Sequence, residues 1–259
     1  MRVAVFATCV VDVVAPEVGV AAVRVLRAAG HDVVVPLDQT CCGQPASNAG
    51  FTTEAAKVAR TTLRALDDAL GSGADRAVGL AGSCTSMVRV FWPELFELVG
   101  DHAAVEAARR VGGLTDELTE FLAREGLPDG VATRERRPGP RVAYHHSCHM
   151  LRELRIKEQP VALLDAAGCE RAPWPADERC CGFGGTFSTK LPETSTAMAD
   201  EKLASLESGV DTVVGADASC LLHLRSRAEH EGQRLRTRHI AEVLADALGA
   251  GGAERVDGG

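Results

Sequence analysis

Nine cysteines stand at positions 9, 41, 42, 84, 148, 169, 180, 181 and 220, and eight of them form two sets with one spacing. Cys9 to Cys41 and Cys148 to Cys180 are each 32 positions apart, while Cys42 to Cys84 and Cys181 to Cys220 are 42 and 39 apart. Thiolates are the ligands of zinc and of iron–sulfur clusters, and four of them complete one cluster. A disulfide between Cys41 and Cys42 is disfavoured. Neighbouring Cα atoms sit about 3.8 Å apart, against roughly 4.4–6.8 Å in ordinary disulfides. A single tetrahedral zinc also suits the pattern poorly, because structural zinc sites take ligand pairs a few residues apart. A multi-iron cluster has several metal corners, so adjacent thiolates can serve different irons. Gly43 and Gly182, joined by Gly184 and Gly185, let the backbone fold tightly around such a core. The plain alternative is burial of cysteine as a small apolar residue. It suits Cys169, which has no counterpart in the other half, and it does not suit eight residues in matched register.

Histidines crowd only the second set. His145, His146 and His149 surround Cys148, and His223 follows Cys220 by three positions, on one face if the segment is helical. Imidazole in place of thiolate raises a cluster's potential. The competing role for each of the four is hydrogen bonding beside the cluster. Arg152, Arg155 and Lys190 are candidates to offset thiolate charge. His239 reads as structural.

The flanks show that the cysteines belong to an internal repeat. Val3–Cys9 answers Val142–Cys148, Cys41-Cys42-Gly43 answers Cys180-Cys181-Gly182, and Asp75–Gly79 before Ser83-Cys84 answers Asp211–Gly215 before Ser219-Cys220. Each half alternates strand and helix. In the first, strands are expected at Arg2–Thr8, His31–Pro36 and Arg76–Leu80, with helices at Glu17–Ala29 and Thr52–Leu70. The second should carry strands at 141–145 and 211–215 and helices near 158–167, 193–208 and 219–231. This order predicts an α/β chain of two pseudo-symmetric repeats, each a small, mainly parallel sheet flanked by helices. Ligands of such sheets sit at the carboxyl ends of the strands, where the cysteine loops fall. Asp101–Arg124 reads as a charged helical segment closing the first repeat (1–125). A linker spans 126–140, the second repeat 141–248, and a glycine-rich tail 249–259.

Lys and Arg total 28 against 36 Asp and Glu, a net charge of −8, which argues against a nucleic-acid surface. Aromatic residues are 4% of the chain and apolar residues 46%, so the core is one of Ala, Val and Leu. No apolar run reaches 18 residues and the amino-terminal stretch lacks the pattern of a signal peptide, which predicts a cytoplasmic chain without a transmembrane segment. Nine cysteines in a reducing compartment point to metal binding or reactivity rather than to disulfides.

Cys41-Cys42-Gly43-Gln44-Pro45-Ala46, Gly82-Ser83-Cys84-Thr85, Cys180-Cys181-Gly182-Phe183-Gly184-Gly185 and Gly215-Ala216-Asp217-Ala218-Ser219-Cys220 resemble the cysteine-rich CCG-domain family. That family includes the cysteine-rich component of heterodisulfide reductase, the iron–sulfur subunits of glycolate and glycerol-3-phosphate oxidases, and a lactate-utilisation branch. These motifs resemble that last branch most, together with the closing His239–Leu244. The resemblance covers Arg2 to about Leu248. It implies an oxidoreductase subunit of an L-lactate dehydrogenase complex, passing electrons from the oxidation of L-lactate to pyruvate toward the respiratory chain. Cys9, Cys41, Cys42 and Cys84 would hold one iron–sulfur centre, of [4Fe-4S] type, and Cys148, Cys180, Cys181 and Cys220 a second. The implied partners are two other subunits, one a ferredoxin-type iron–sulfur protein. The chain departs from the heterodisulfide reductase pattern, in which a Cys-x-x-Cys pair supplies a fifth thiolate; Met87 and His223 occupy those positions. Each half therefore binds a four-thiolate cluster, borrows another ligand, or binds nothing. The rival readings are a heterodisulfide-reductase-like or metal-free thiol–disulfide oxidoreductase, and a zinc-stabilised scaffold without activity.

Overall fold

A computed structural model of the chain describes residues 1–128, 131 and 140–249. The expected linker at 126–140 and tail at 249–259 lie largely outside these residues. The first repeat runs β1 (Arg2–Phe6), α1 (Cys9–Val14), α2 (Pro16–Ala28), β2 (Asp32–Val34), α3 (Gln44–Asn48), α4 (Thr52–Gly71), β3 (Arg76–Gly79), α5 (Gly82–Ser86), a π-helical turn (Met87–Phe91), α6 (Trp92–Leu98), α7 (His102–Gly113), β4 (Thr115–Glu117) and α8 (Leu118–Glu125). The second runs β5 (Arg141–His145), a π-helical turn (Met150–Leu154), α9 (Glu158–Ala166), β6 (Glu170–Arg171), α10 (Phe187–Lys190), α11 (Pro192–Ala204), β7 (Thr212–Gly215), α12 (Ala218–His230), β8 (Arg236–His239) and α13 (Ile240–Ala247).

The two four-stranded sheets are wholly parallel and share one order, β2-β1-β3-β4 and β6-β5-β7-β8. Their registers align the repeats residue by residue. Phe6 stands beside Gly79, which stands beside Glu117; in the second sheet His145 stands beside Gly215, which stands beside His239. The expected helical segment over 101–124 is broken by β4. Thr115, Asp116 and Glu117 are all buried there, and Asp116 is neutralised by ion pairs with Arg76 at 2.7 Å and Arg124 at 2.8 Å. β8 likewise precedes the helix that closes the second repeat.

Strand alternation sends successive side chains to opposite faces. Val3 and Val5 of β1, with Val142 and Tyr144 of β5, enter one core common to both repeats. Phe6 joins a separate core with Cys42 and Cys84, and Ala143 joins a third with Cys181 and Cys220. The common core is built by exchange: α13 packs on α2, and α8 packs on α9. The last helix of each repeat thus covers the first long helix of the other. Leu118, Phe121 and Leu122 on α8 and Ile240, Val243 and Leu244 on α13 supply the seam. Each such side chain is worth roughly 1.5–3 kcal/mol when taken out of water, so the halves depend on each other for their cores. Cys169 fills this common core.

Candidate metal centres

Each cysteine quartet is assembled from three places on its repeat. Cys9 opens α1 just beyond β1, Cys41 and Cys42 precede α3, and Cys84 lies in α5 beyond β3. The Sγ atoms of Cys42 and Cys84 are 3.2 Å apart, and Cys41 lies in hydrogen-bonding reach of both Cys9 and Cys42. In the second repeat the Sγ atoms of Cys181 and Cys220 are 3.0 Å apart, and Cys180 bridges Cys148 and Cys181. All nine cysteines are free thiols; a disulfide would need a separation near 2.05 Å.

Gly43 and Gly182 keep both loops tight. Their φ angles are +86° and +90°, and an added Cβ would lie 2.7 Å from the Ala55 carbonyl oxygen and 2.6 Å from that of Ser195. Their amides donate to Cys41 Sγ and Cys180 Sγ, each at 3.4 Å. Gly184 and Gly185 also take positive φ, and Gly185 faces Pro45 of the first repeat.

The thiols of each quartet divide unequally. Hydrogen bonds from Cys42 and Cys9, helped by the Gly43 amide, bring Cys41 down to about 3. Those from Cys148 and Cys181 bring Cys180 to about 2. In return Cys9 and Cys148 are pushed up by their bonds to Cys41 and Cys180, as are the buried Cys42 and Cys181. Four soft sulfur atoms converging on one point are a donor set that fits a thiophilic metal or cluster.

The histidines separate sharply. His149 Nδ1 pairs with Glu153 at 2.9 Å, and its Nε2 lies 3.4 Å from Gln44 Nε2 across the repeat boundary. His223 Nε2 lies 3.2 Å from Ser195 Oγ, and its ring meets Phe183 edge-on. His146 packs against Tyr144 and lies 3.9 Å from Asp177. His145 alone joins the sulfurs: a ring nitrogen and the Sγ atoms of Cys181 and Cys220 all lie within 4.8 Å of one another. It is buried, and burial, then the Lys202 charge, pulls its imidazole down to about 3. Met87, at the fifth-thiolate position of the first repeat, is core packing beside Cys84. Arg152 is the one of the three expected cations whose charge reaches a cysteine, favouring ionised Cys148; Lys190 instead lies over the Phe51 ring.

Two kinds of positioning residue carry no mark in the sequence. Lys202 on α11 is fully buried and donates to the carbonyls of Ala176, Asp177 and Arg179, the loop that leads into Cys180. Thr62 on α4 does the same for the first loop, accepting from the Thr40 amide and donating to the Cys41 carbonyl. Asp217 is of the second kind. Its Oδ1 accepts from the amide and hydroxyl of Ser219, while its Oδ2 accepts from the Ser83 amide of the other repeat at 2.9 Å. One carboxylate therefore caps both helices that carry the last cysteine of a quartet; the first repeat has Ala81 at that position. Asp217→Ala is expected to lower the unfolding free energy by about 2 kcal/mol, one for each cap. Urea denaturation measures this, and an unshifted midpoint would show that the cross-repeat cap contributes nothing.

Among the described residues no helix is long and apolar enough to cross a membrane. The cysteine-rich domain family designated CCG matches residues 3–89 and 142–225, so each match contains one whole quartet. Lactate utilization protein A of Geobacillus kaustophilus (strain HTA426) is 40% identical over 246 residues, covering 94% of this chain and 98% of its own length. The protein of that name from Exiguobacterium sp. (strain ATCC BAA-1283 / AT1b) is 39% identical over 249 residues, 95% and 98% of the two chains. That from Bacillus velezensis (strain DSM 23117 / BGSC 10A6 / LMG 26770 / FZB42) is 38% identical over 247 residues, 94% and 99%.

Proposed function

The chain belongs to the cysteine-rich CCG-domain family, and from that membership we propose that it is the iron–sulfur subunit of an L-lactate-oxidising system. The observation that carries this reading is the pair of thiol quartets, each drawn together at the strand ends of its own sheet. The names of its relatives bring in lactate. Oxidation of L-lactate to pyruvate releases two electrons and two protons, and iron–sulfur centres of [4Fe-4S] type supply one-electron carriage when bound. Two centres in one chain match that stoichiometry. Cys9, Cys41, Cys42 and Cys84 hold the first and Cys148, Cys180, Cys181 and Cys220 the second. The chain's own contributions are the thiolates, the Gly43 and Gly182 amides on sulfur, and the apolar cores that keep water from Cys42, Cys84, Cys181 and Cys220. Electrons leave toward the respiratory chain through partner subunits, one of them a ferredoxin-type protein.

Anaerobic purification with iron, acid-labile sulfide and zinc analysis tests the metal. Two centres' worth of iron and sulfide is expected, with about half lost in Cys42→Ser and the other half in Cys181→Ser. Stoichiometric zinc without sulfide would overturn the electron-transfer reading. A deletion strain should fail to grow on L-lactate while growing on pyruvate; undiminished growth on L-lactate would remove lactate from the proposal.

A further inference from the structure

We propose that His145 is a direct nitrogen ligand of the second centre, so that the two centres of the chain differ in donor set. The inference rests on the iron–sulfur reading above and divides what that reading leaves equivalent.

Three observations carry it. The first is place: His145 ends β5, and its ring nitrogen lies within 4.8 Å of both the Cys181 and Cys220 sulfurs, which are 3.0 Å from each other. A nitrogen at that distance from both sulfurs can reach a metal held beside either of them and stand in for one thiolate there, since metal–sulfur and metal–nitrogen bonds are about 2.0–2.3 Å. The second is want of a well-placed partner. The ring is 1% exposed, neither Nδ1 nor Nε2 makes a well-formed hydrogen bond among the described residues, and the carbonyl in reach, that of Asp177, already accepts from the His146 amide and Lys202. Buried nitrogens without a well-placed partner are costly. Native chains rarely tolerate that cost without an unseen partner. The indole of Trp174 meets the ring edge-on, with centroids 6.4 Å apart, and limits where it can swing.

The third observation is the internal control. The sheet registers place Phe6 where His145 stands, each beside the equivalent glycine, Gly79 or Gly215. Phe6 is fully buried against the Cys42 and Cys84 core and offers no donor. A histidine that merely filled space would be the polar and more expensive choice at that position. The other histidines near the second quartet have contacts elsewhere: His149 with Glu153, His223 with Ser195. The first centre therefore has sulfur donors alone, and the second has sulfur and one imidazole. Where the imidazole takes the place of one thiolate at an iron, the centre carries less negative charge and its potential rises. The second centre is thus the electron-accepting end of the pair.

The test uses the anaerobically purified full chain, labelled with [15N]histidine, in the redox state that is paramagnetic. Pulsed electron paramagnetic resonance of the wild type should show a nitrogen coupling of the size that marks a direct bond, changing with the isotope. The same spectrum needs no variant and so does not depend on any variant folding. In His145→Phe the coupling should vanish, iron and sulfide should stay at or above half the wild-type content, and the midpoint potential of any remaining second centre should fall. A wild type with full iron and sulfide but only weak, hydrogen-bond-sized nitrogen coupling would overturn the ligand assignment and leave the iron–sulfur reading intact. A coupling that survives in His145→Phe would also overturn it. A wild type without iron or sulfide would overturn the underlying reading instead.

Discussion

Lys202→Met should lower the unfolding free energy by about 2–5 kcal/mol and strip metal from the second centre while sparing the first. Lys202 is fully buried, and its ammonium holds three main-chain carbonyls, those of Asp177 and Arg179 at 3.0 and 2.9 Å and that of Ala176 as well. Its Nζ also lies 4.2 Å from the centroid of the Trp174 ring. Burial pulls the ammonium from 10.5 down to about 8, so desolvation already outweighs what the charge gains from its surroundings. Methionine, of similar length, sheds that burial cost but replaces none of the three bonds, and a buried polar group stripped of its partner costs roughly 1–3 kcal/mol. The carbonyls at stake belong to the loop that ends in Cys180 and Cys181, so the loss falls on the second quartet. Denaturant unfolding with parallel iron analysis checks both parts. A midpoint within the error of wild type, with iron undiminished, would mean that the loop holds its shape unaided.

The first repeat runs the same device without charge. Ala55 and Ser195 are the residues whose carbonyls crowd Gly43 and Gly182, and Thr62 and Lys202 each lie seven residues further along their helices. Thr62 bonds the Cys41 carbonyl just as Lys202 bonds that of Arg179, the residue before Cys180. Together with Phe6 and His145, this pair makes the second site both more cationic and richer in nitrogen. A duplicated fold has thus kept its positions and changed what stands on them at two places beside the cysteine loops.

That divergence is encoded in the sequence, and it is hard to see there for a physical reason. The repeat is legible because cysteines and glycines are placed by backbone geometry at strand ends, which leaves fixed spacings behind. Aligning the repeats through those spacings pairs Phe6 with His145 directly. The four histidines look alike only because sequence distance to Cys148 or Cys220 says nothing of which way a strand or helix turns its side chains. β5 alternates, so His145 and Ala143 face the second quartet's core while Tyr144 faces the common core. Lys202 is hidden by an extra residue in the loop after Cys181, which shifts α11 out of register with α4. β4 is hidden by its composition. Of Thr115-Asp116-Glu117 only the threonine favours a strand, and the burial of Asp116 depends on Arg76 and Arg124 from elsewhere in the fold. The exchange of closing helices lies further off still. An apolar stripe on α8 announces that it is buried, not that it is buried against the other repeat.

Glu117, the last residue of that hidden strand, should give the fold a pH dependence that Glu117→Gln removes. It is fully buried and caps α8, its Oε2 accepting from the amides of Thr119 at 2.7 Å and Glu120 at 3.3 Å and from the Thr119 hydroxyl, while Oε1 has no partner among the described residues. Burial pushes the carboxyl from 4.5 up to about 7. Between those values the folded chain keeps a proton that the unfolded chain has released. Its contribution to stability is therefore complete below about pH 4.5 and is lost as pH rises through 7, by about 3 kcal/mol in all. His239 caps α13 at the equivalent place, its Nδ1 accepting from the Ala241 amide, and burial pulls it from 6.5 down to about 4. Its sign is opposite, since stability is lost as pH falls from 6.5 through 4. The two caps thus oppose each other between pH 4.5 and 6.5, and the wild-type profile there is flatter than either alone would give. Glutamine keeps an oxygen for the α8 amides and has nothing to titrate. The variant should therefore gain about 3 kcal/mol on the wild type between pH 4.5 and 8, whatever constant offset the lost charge leaves at the cap. Urea unfolding of both proteins at four or five pH values reads the difference directly. Parallel profiles would mean that Glu117 ionises as an exposed carboxyl does, which its burial on a strand end against α8 does not allow without water reaching Oε1.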